Sequence, residues 1–329
     1  MADVTRREAI KRIGKAALVL GGAGALTRAC WDRAEVAAAP APSSGRTRDY
    51  RVTGDDPDAP AMAIAHEEPP EGQRVDAPGL VRRAIDALGG MSRFVSRGDV
   101  VVVKPNIGWD RTPAQAANTN PGVVGELCRA ALSAGAAKVV VTDFSCNDPD
   151  RAFARSGIAK AARDAGAEVV LPAEHRFRTM PMGGEVLEEW PIFVPLVEAD
   201  KVINAPVAKH HGLAKLTCAL KNWYGIIGGT RNRLHQRIDV SIADLAAFMQ
   251  PTLTVVDATR VLWRNGPQGG NLADTRDENT VVASIDQVAA DAYCSRFVGV
   301  PPEQLGYLEL AEQRGLGTRR WRQLRRVEV

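Results

Sequence analysis

The chain has 329 residues, 45% hydrophobic and 25% charged, with 42 Lys and Arg against 39 Asp and Glu. That mixture excludes a disordered chain, and the length is enough to bury a substantial core. A net charge of +3 carries no long basic stripe, so no nucleic-acid partner is expected.

The first elements in chain order read as an address. Residues 1–39 resemble a twin-arginine signal peptide: Arg6 and Arg7 precede Ala9-Ile10 and Lys11, and a small, apolar stretch runs from Ala16 to Leu26. Ala9 stands where the usual motif has Phe. The stretch is too short and too glycine-rich to span a bilayer stably, so no transmembrane span is expected in the mature chain. The resemblance implies the twin-arginine export machinery as a partner and a periplasmic or extracytoplasmic location. It also implies a protein exported folded, with a metal ion or an organic cofactor already inserted. Cys30 follows Thr27-Arg28-Ala29, a poor lipoprotein box, so lipid anchoring at Cys30 is not expected. Residues 40–59 are a Pro/Ser-rich linker.

Residues 60–318 alternate strand-length apolar runs with helical stretches. Strands are predicted at 61–65, 100–104, 138–143, 168–171, 201–205, 252–257 and 281–285, and helices at 80–88, 121–133, 151–164, 241–249 and 287–297. Residues 180–195, with Gly183-Gly184 between two β-like runs, read as a hairpin added at the sheet edge. Residues 319–329 read as a basic C-terminal tail. The predicted fold class is α/β, a mainly parallel sheet flanked by helices, with one domain or two lobes around a site.

Function concentrates after the strand at 201–205. Lys209, His210, His211, Lys215, Cys218, Lys221 and Asn222 fall within fourteen residues, where an α/β sheet places its ligands. Adjacent histidines diverge on an extended chain, so one of His210 and His211 is expected to be functional and the other structural. Lys221 is embedded in core-type residues, which points to a depressed pKa and to nucleophilic or anion-binding duty. Lys104 ends a four-valine strand and must reach solvent, a carboxylate or an anionic ligand. Asn106, Asp143, Asn204, Asp257 and Asp286 also end strands, and five such residues in register point to one shared site.

The candidate catalytic residues are therefore Lys221, His211, His235 and Lys104. Asn106, Lys209, Asn222, Arg231, Gly266 and Gly269 are candidate ligand-binding residues, the two glycines as a loop rich in N–H groups. His211, His235 and Asp257 are a candidate metal set, with Asp143 as a further orienting carboxylate. None of the five cysteines has CxxC spacing, so no iron–sulfur motif is encoded, and the thiols are expected in apolar surroundings.

These pieces resemble the domain of unknown function 362 family. The matching elements are Lys104-Pro105-Asn106, Thr119-Asn120-Pro121, the run from Asp200 to His211, Thr217 to Gly225, His235, Asp257 and Gly266-Pro267, together spanning about residues 60–317. Some relatives carry an appended iron–sulfur module whose cysteines are missing here. A more distant similarity is to nickel-pincer lactate racemases: His211 and Lys221 are ten residues apart and His235 follows, with a loose match at Asp110-Arg111-Thr112-Pro113. That similarity implies a bound organometallic nucleotide, although LAKLTCA replaces the glycine-rich sequence between His and Lys. The expected function is an exported enzyme acting on a small anionic substrate. The alternative is a non-catalytic envelope protein that binds a metal, an iron–sulfur cluster or an anionic ligand.

Overall fold

The structure, a computed structural model, describes residues 48–52, 56 and 58–329. The signal peptide with Cys30, and most of the linker, lie outside the described residues.

Ten strands form one mixed sheet. In chain order they are β1 (Met62–His66), β2 (Val100–Pro105), β3 (Lys138–Val141) and β4 (Glu168–Val169). A two-stranded hairpin follows, β5 (Phe177–Pro181) and β6 (Glu189–Phe193), which pairs only with itself. The main sheet resumes with β7 (Lys201–Ala205), β8 (Val207–His211), β9 (Lys215–Thr217), β10 (Leu253–Leu262), β11 (Thr275–Ser284) and β12 (Arg326–Glu328). Its order is β12-β1-β11-β10-β7-β2-β3-β4, with β8 beside β10 and β9 paired to β8. Most pairs are parallel; β11 runs antiparallel to both β10 and β1, and β9 to β8.

The valine run of β2 shows why the sheet is covered on both faces. Val101 and Val103 pack into one apolar layer and Val102 into the other, the alternation that a strand imposes. The first layer includes helices α1 (Ala77–Ala87), α2 (Pro121–Ser133), α3 (Pro149–Arg155) and α4 (Ile158–Asp164). The second includes the short α5 (Ala219–Asn222), α6 (Ile238–Phe248), α7 (Gln287–Cys294) and α8 (Gly306–Gln313).

Several elements depart from the sequence reading. The helix expected over 151–164 breaks at Gly157, which sits at φ 74° where other residues are strained. The hairpin does not extend the sheet edge. It lies instead against the segment after α5, through Trp190 Nε1 donating to Gly228 O (2.9 Å) and an Ile192–Ile227 bridge. The C-terminal run is not a free tail, because β12 pairs in parallel with Met62–Ile64 at the edge. Asp286 belongs to the opposite rim from Lys104: β11 is antiparallel, so its end faces away from the carboxyl ends of β2, β3 and β7. Its carboxylate caps α7 and takes the N–H of Thr318.

The short helix that carries Lys221 is held from below by Asp291 of α7. This fully buried carboxylate accepts from the N–H groups of Ala219 (2.6 Å) and Leu220 (3.2 Å). Burial raises its pKa to about 7. The native state therefore holds that proton more tightly than an unfolded carboxyl near 3.8. The resulting stability is complete below about pH 4 and is lost as pH climbs through 7. Asp291→Asn should flatten this slope: urea unfolding between pH 4 and 8 should show wild type losing roughly 1–4 kcal/mol more than the variant.

Candidate functional site

The carboxyl ends of β2, β3 and β7 meet in a buried polar network. Lys104 Nζ donates to Asp143 Oδ1 at 2.6 Å, to Pro105 O at 2.9 Å and to Asn222 Oδ1 at 3.1 Å. Both charged side chains are almost completely buried. Burial pulls the Lys104 pKa down and the carboxylate opposes it. Asp143 Oδ2 accepts from the N–H of Ile107 at 2.6 Å, so each of its oxygens is engaged. Asn222 donates to Asn204 Oδ1 (2.8 Å) and accepts from Asn106 (3.0 Å), which ties α5 to two strand ends. Gly225 passes directly over the ion pair. A Cβ there would lie 1.8 Å from Asp143 Oδ1 and 2.7 Å from Lys104 Nζ, so no side chain is tolerated.

The β8–β9 hairpin supplies one wall of a cavity above this network. Residues two apart on a strand share a face, so Lys209 and His211 both border the cavity while His210 points away. Thr217 lies opposite Lys209 in the register and borders it too. Its hydroxyl is buried without a hydrogen-bond partner. Lys209 Nζ donates to Asn106 Oδ1 (2.9 Å) and to Ala117 O, and burial lowers its pKa to about 7.

The opposite wall is the segment from Lys221 to His235. Lys221 Nζ sits 3.9 Å from the centre of the Tyr224 ring. Burial, opposed by Cys146 and reinforced by Arg231, brings its pKa down to about 8. Arg231 donates to the carbonyls of Phe144, Tyr224 and Ser145 and stacks over Phe144. Trp109, Phe144 and Tyr224 give the cavity an aromatic lining. Its volume is about 210 Å³.

His211 and His235 face each other as nearly parallel rings, 6.1 Å apart and 12° from coplanar. Their free nitrogens differ in kind. His211 Nδ1 accepts from the N–H groups of Leu213 and Ala214, both at 3.1 Å, which places the ring proton on Nε2. Burial and the nearby Lys221 ammonium hold its pKa down at about 2, so the ring stays neutral. His235 Nδ1 lies 3.3 Å from Asn232 O, the position of a donor, which leaves Nε2 as a base. Burial first, then Lys221, lowers its pKa as well.

Lys209, His211, Lys221, Asn222, Arg231, His235 and Asn106 thus border one cavity, with Lys104 beneath it. Three expectations fail. Asp257 does not join the two histidines: its carboxylate is buried elsewhere and already accepts from Asn120 N, Thr259 N and Thr259 Oγ1. Among the described residues, no three His, Cys, Asp or Glu side chains are grouped to hold a metal ion. Gly266 and Gly269 do not line the cavity. The Gly266 N–H goes to His210 Nδ1 (3.1 Å), a Cβ on Gly269 would lie 3.1 Å from Leu262 Cδ2, and the loop reaches the cavity only through Pro267. Cys146 is not in an apolar core; it borders the cavity among the cations. It lies just beyond β3, so the strand-end rule that found Asp143 also points to it.

A nucleotide-sized cofactor, as the nickel-pincer similarity implies, does not fit this cavity, which is smaller than ordinary sites for drug-sized ligands.

The family model for DUF362, a domain of unknown function, matches residues 101–296. A thylakoid-associated protein of Synechocystis is 25% identical over 250 residues, covering 72% of this chain and 74% of the relative. Among solved structures, the lactate racemase apoprotein of Thermoanaerobacterium thermosaccharolyticum aligns at 14% identity and TM-score 0.41, covering 74% of this chain and 58% of its own. A Thermotoga maritima protein aligns at 11% identity and TM-score 0.36, covering 73% and 60%. The chain therefore spans about three fifths of the length of these two solved proteins.

Lys104→Met should leave Asp143 as a buried, unpaired carboxylate and lower stability by ~3–5 kcal/mol in urea unfolding. Lys104→Met with Asp143→Leu should recover more than half of that loss, because no buried charge then lacks a partner.

Proposed function

We propose that this chain, which belongs to the DUF362 family, is an exported enzyme that binds a small anionic substrate in the cavity above Lys104 and transfers protons within it. The observation that carries the reading is a charge imbalance. Lys209, Lys221 and Arg231 border the cavity, and its one carboxylate, Asp143, is already paired with Lys104. Several cations buried together repel one another unless an anion joins them. Lys209 and Arg231 are hydrogen-bonded to neutral oxygens only, so their charge is not cancelled locally. The orphaned hydroxyl of Thr217 at the same wall supports a polar ligand, since an unpaired buried hydroxyl costs about 1–3 kcal/mol.

The two imidazoles supply the chemistry. His211 presents an N–H that donates a hydrogen bond to a substrate oxygen without giving up its proton. His235 presents a lone pair that accepts a proton from the substrate. Neither holds a positive charge next to Lys221, so both remain available in these forms at neutral pH.

Export rests on the leader sequence. The relative named as thylakoid-associated supports a place at or beyond a membrane. Among the described residues, no helix is long and apolar enough to cross a membrane. Arg6→Lys with Arg7→Lys in the full-length chain should retain the protein in the cytoplasm on cell fractionation; unchanged export would remove this part of the reading.

Binding is testable with inorganic phosphate and acetate by calorimetry. Saturable binding should weaken at least tenfold in Lys221→Met. It should also fall as pH rises from 7 to 9, because Lys209 and Lys221 lose their protons there while both histidines, their pKa values lowered by burial, are already neutral. Affinity that ignores both changes would sink the anion reading. Enzyme is separated from binder by proton exchange in D₂O: carbon-bound protons of small bound carboxylic acids should exchange, and His235→Gln should slow this at least tenfold with binding retained.

A further inference from the structure

We infer that Lys221 is a covalent nucleophile whose amine captures the carbonyl carbon of a small carboxylate-bearing aldehyde or ketone as an imine. This deepens the anion-site reading and rests on it.

Three lysines are buried at this site, and only one is free to react. Lys104 has three oxygen acceptors and Lys209 has two. Lys221 has no hydrogen bond or ion pair with any described residue, and its Nζ lies at the cavity wall, 3.9 Å from the centre of the Tyr224 ring. Its residue is 7% exposed, so water gives little compensation. The Lys221 amine can reach a substrate without giving up a hydrogen bond, whereas Lys104 and Lys209 would each break bonds to their oxygen acceptors. The cationic neighbour Arg231 favours the neutral amine, and the thiol of Cys146 opposes it only when ionised. A desolvated lysine beside another cation is the environment that produces reactive amines.

The surroundings match the steps of imine formation. The neutral amine attacks the carbonyl carbon, and the C=O π pair moves onto oxygen. One nitrogen proton passes through His235 Nε2 to that oxygen, giving a carbinolamine. The second nitrogen proton follows the same route as the C–O bond breaks, so oxygen leaves as water and the C=N bond forms. His235 ends neutral, His211 Nε2–H supports the oxygen throughout, and no oxidant or reductant is consumed. The cations that border the cavity hold the carboxylate, and a volume of about 210 Å³ suits a substrate of a few carbons. The class that meets these conditions is the short oxo acids.

The test is reductive trapping of the purified chain with sodium cyanoborohydride and either glyoxylate or pyruvate, read by intact mass and peptide mapping. One reduced adduct is expected, on Lys221. Acetone and acetaldehyde, which lack the carboxylate, should label at least tenfold more slowly. Lys221→Arg, checked for an unchanged melting temperature, should abolish the adduct. Should Lys221→Arg fail to fold, His235→Gln serves instead and should slow labelling at least tenfold while calorimetric binding of acetate persists. Saturable acetate binding with no adduct, or with label on other lysines, would overturn the imine and leave the anion site standing. No binding of acetate or of either oxo acid would overturn both.

Discussion

A lysine forced to end a fully buried strand sets the terms for everything around it. The Lys104 ammonium has almost no access to water, so its charge has to be met inside the protein. Asp143 meets it from the neighbouring strand, and Asn222 adds an oxygen from α5. These partners fix the relative heights of β2, β3 and α5. They also require a glycine at 225, since any Cβ there would occupy the space of the carboxylate. The floor of the cavity is therefore a consequence of neutralising one charge, and the remaining cations stand above a floor with no negative charge left over.

The walls follow from local geometry. In β8, strand alternation sends Lys209 and His211 one way and His210 the other, and the outward histidine fastens the Gly266 loop. The turn at residues 212–214 then folds its own N–H groups back onto His211 Nδ1, which decides where that ring carries its proton. Across the cavity, Arg231 is pinned by three carbonyls and Trp190 holds Gly228. The segment from Lys221 to His235 is tied through its backbone to the hairpin, Gly228 N–H donating to Pro191 O (2.8 Å), and to the residues after β3, Phe144 N–H donating to Gly225 O (2.9 Å).

Much of this was legible in the sequence. A buried run ending in lysine, polar residues at strand ends and a dense cluster after residue 201 all report on the carboxyl edge of a parallel sheet. The limits of that legibility are equally physical. Asp286 looked like another strand-end ligand because a single sequence does not reveal that β11 runs antiparallel. Asp257 does end up near that edge, but its carboxylate is consumed by three local donors, which composition and spacing do not show. The glycine loop had a ligand-like composition, yet its N–H found a histidine within the chain. Cys146 follows the end of β3 as Asp143 does, but a lone thiol is also a common core residue, and the two signals compete.

The edge strand β12 has a consequence for how the molecule comes into being. The first strand of the main sheet, β1, lies between β12 and β11, and both of these come from the C-terminal part of the chain. A nascent polypeptide emerging from the ribosome thus carries an unpartnered hydrophobic strand for most of its synthesis. β1 meets both of its partners only across a long sequence separation, a topology that slows folding. Without β12, Met62–Ile64 would become the sheet edge, an apolar stretch open to pairing with other chains.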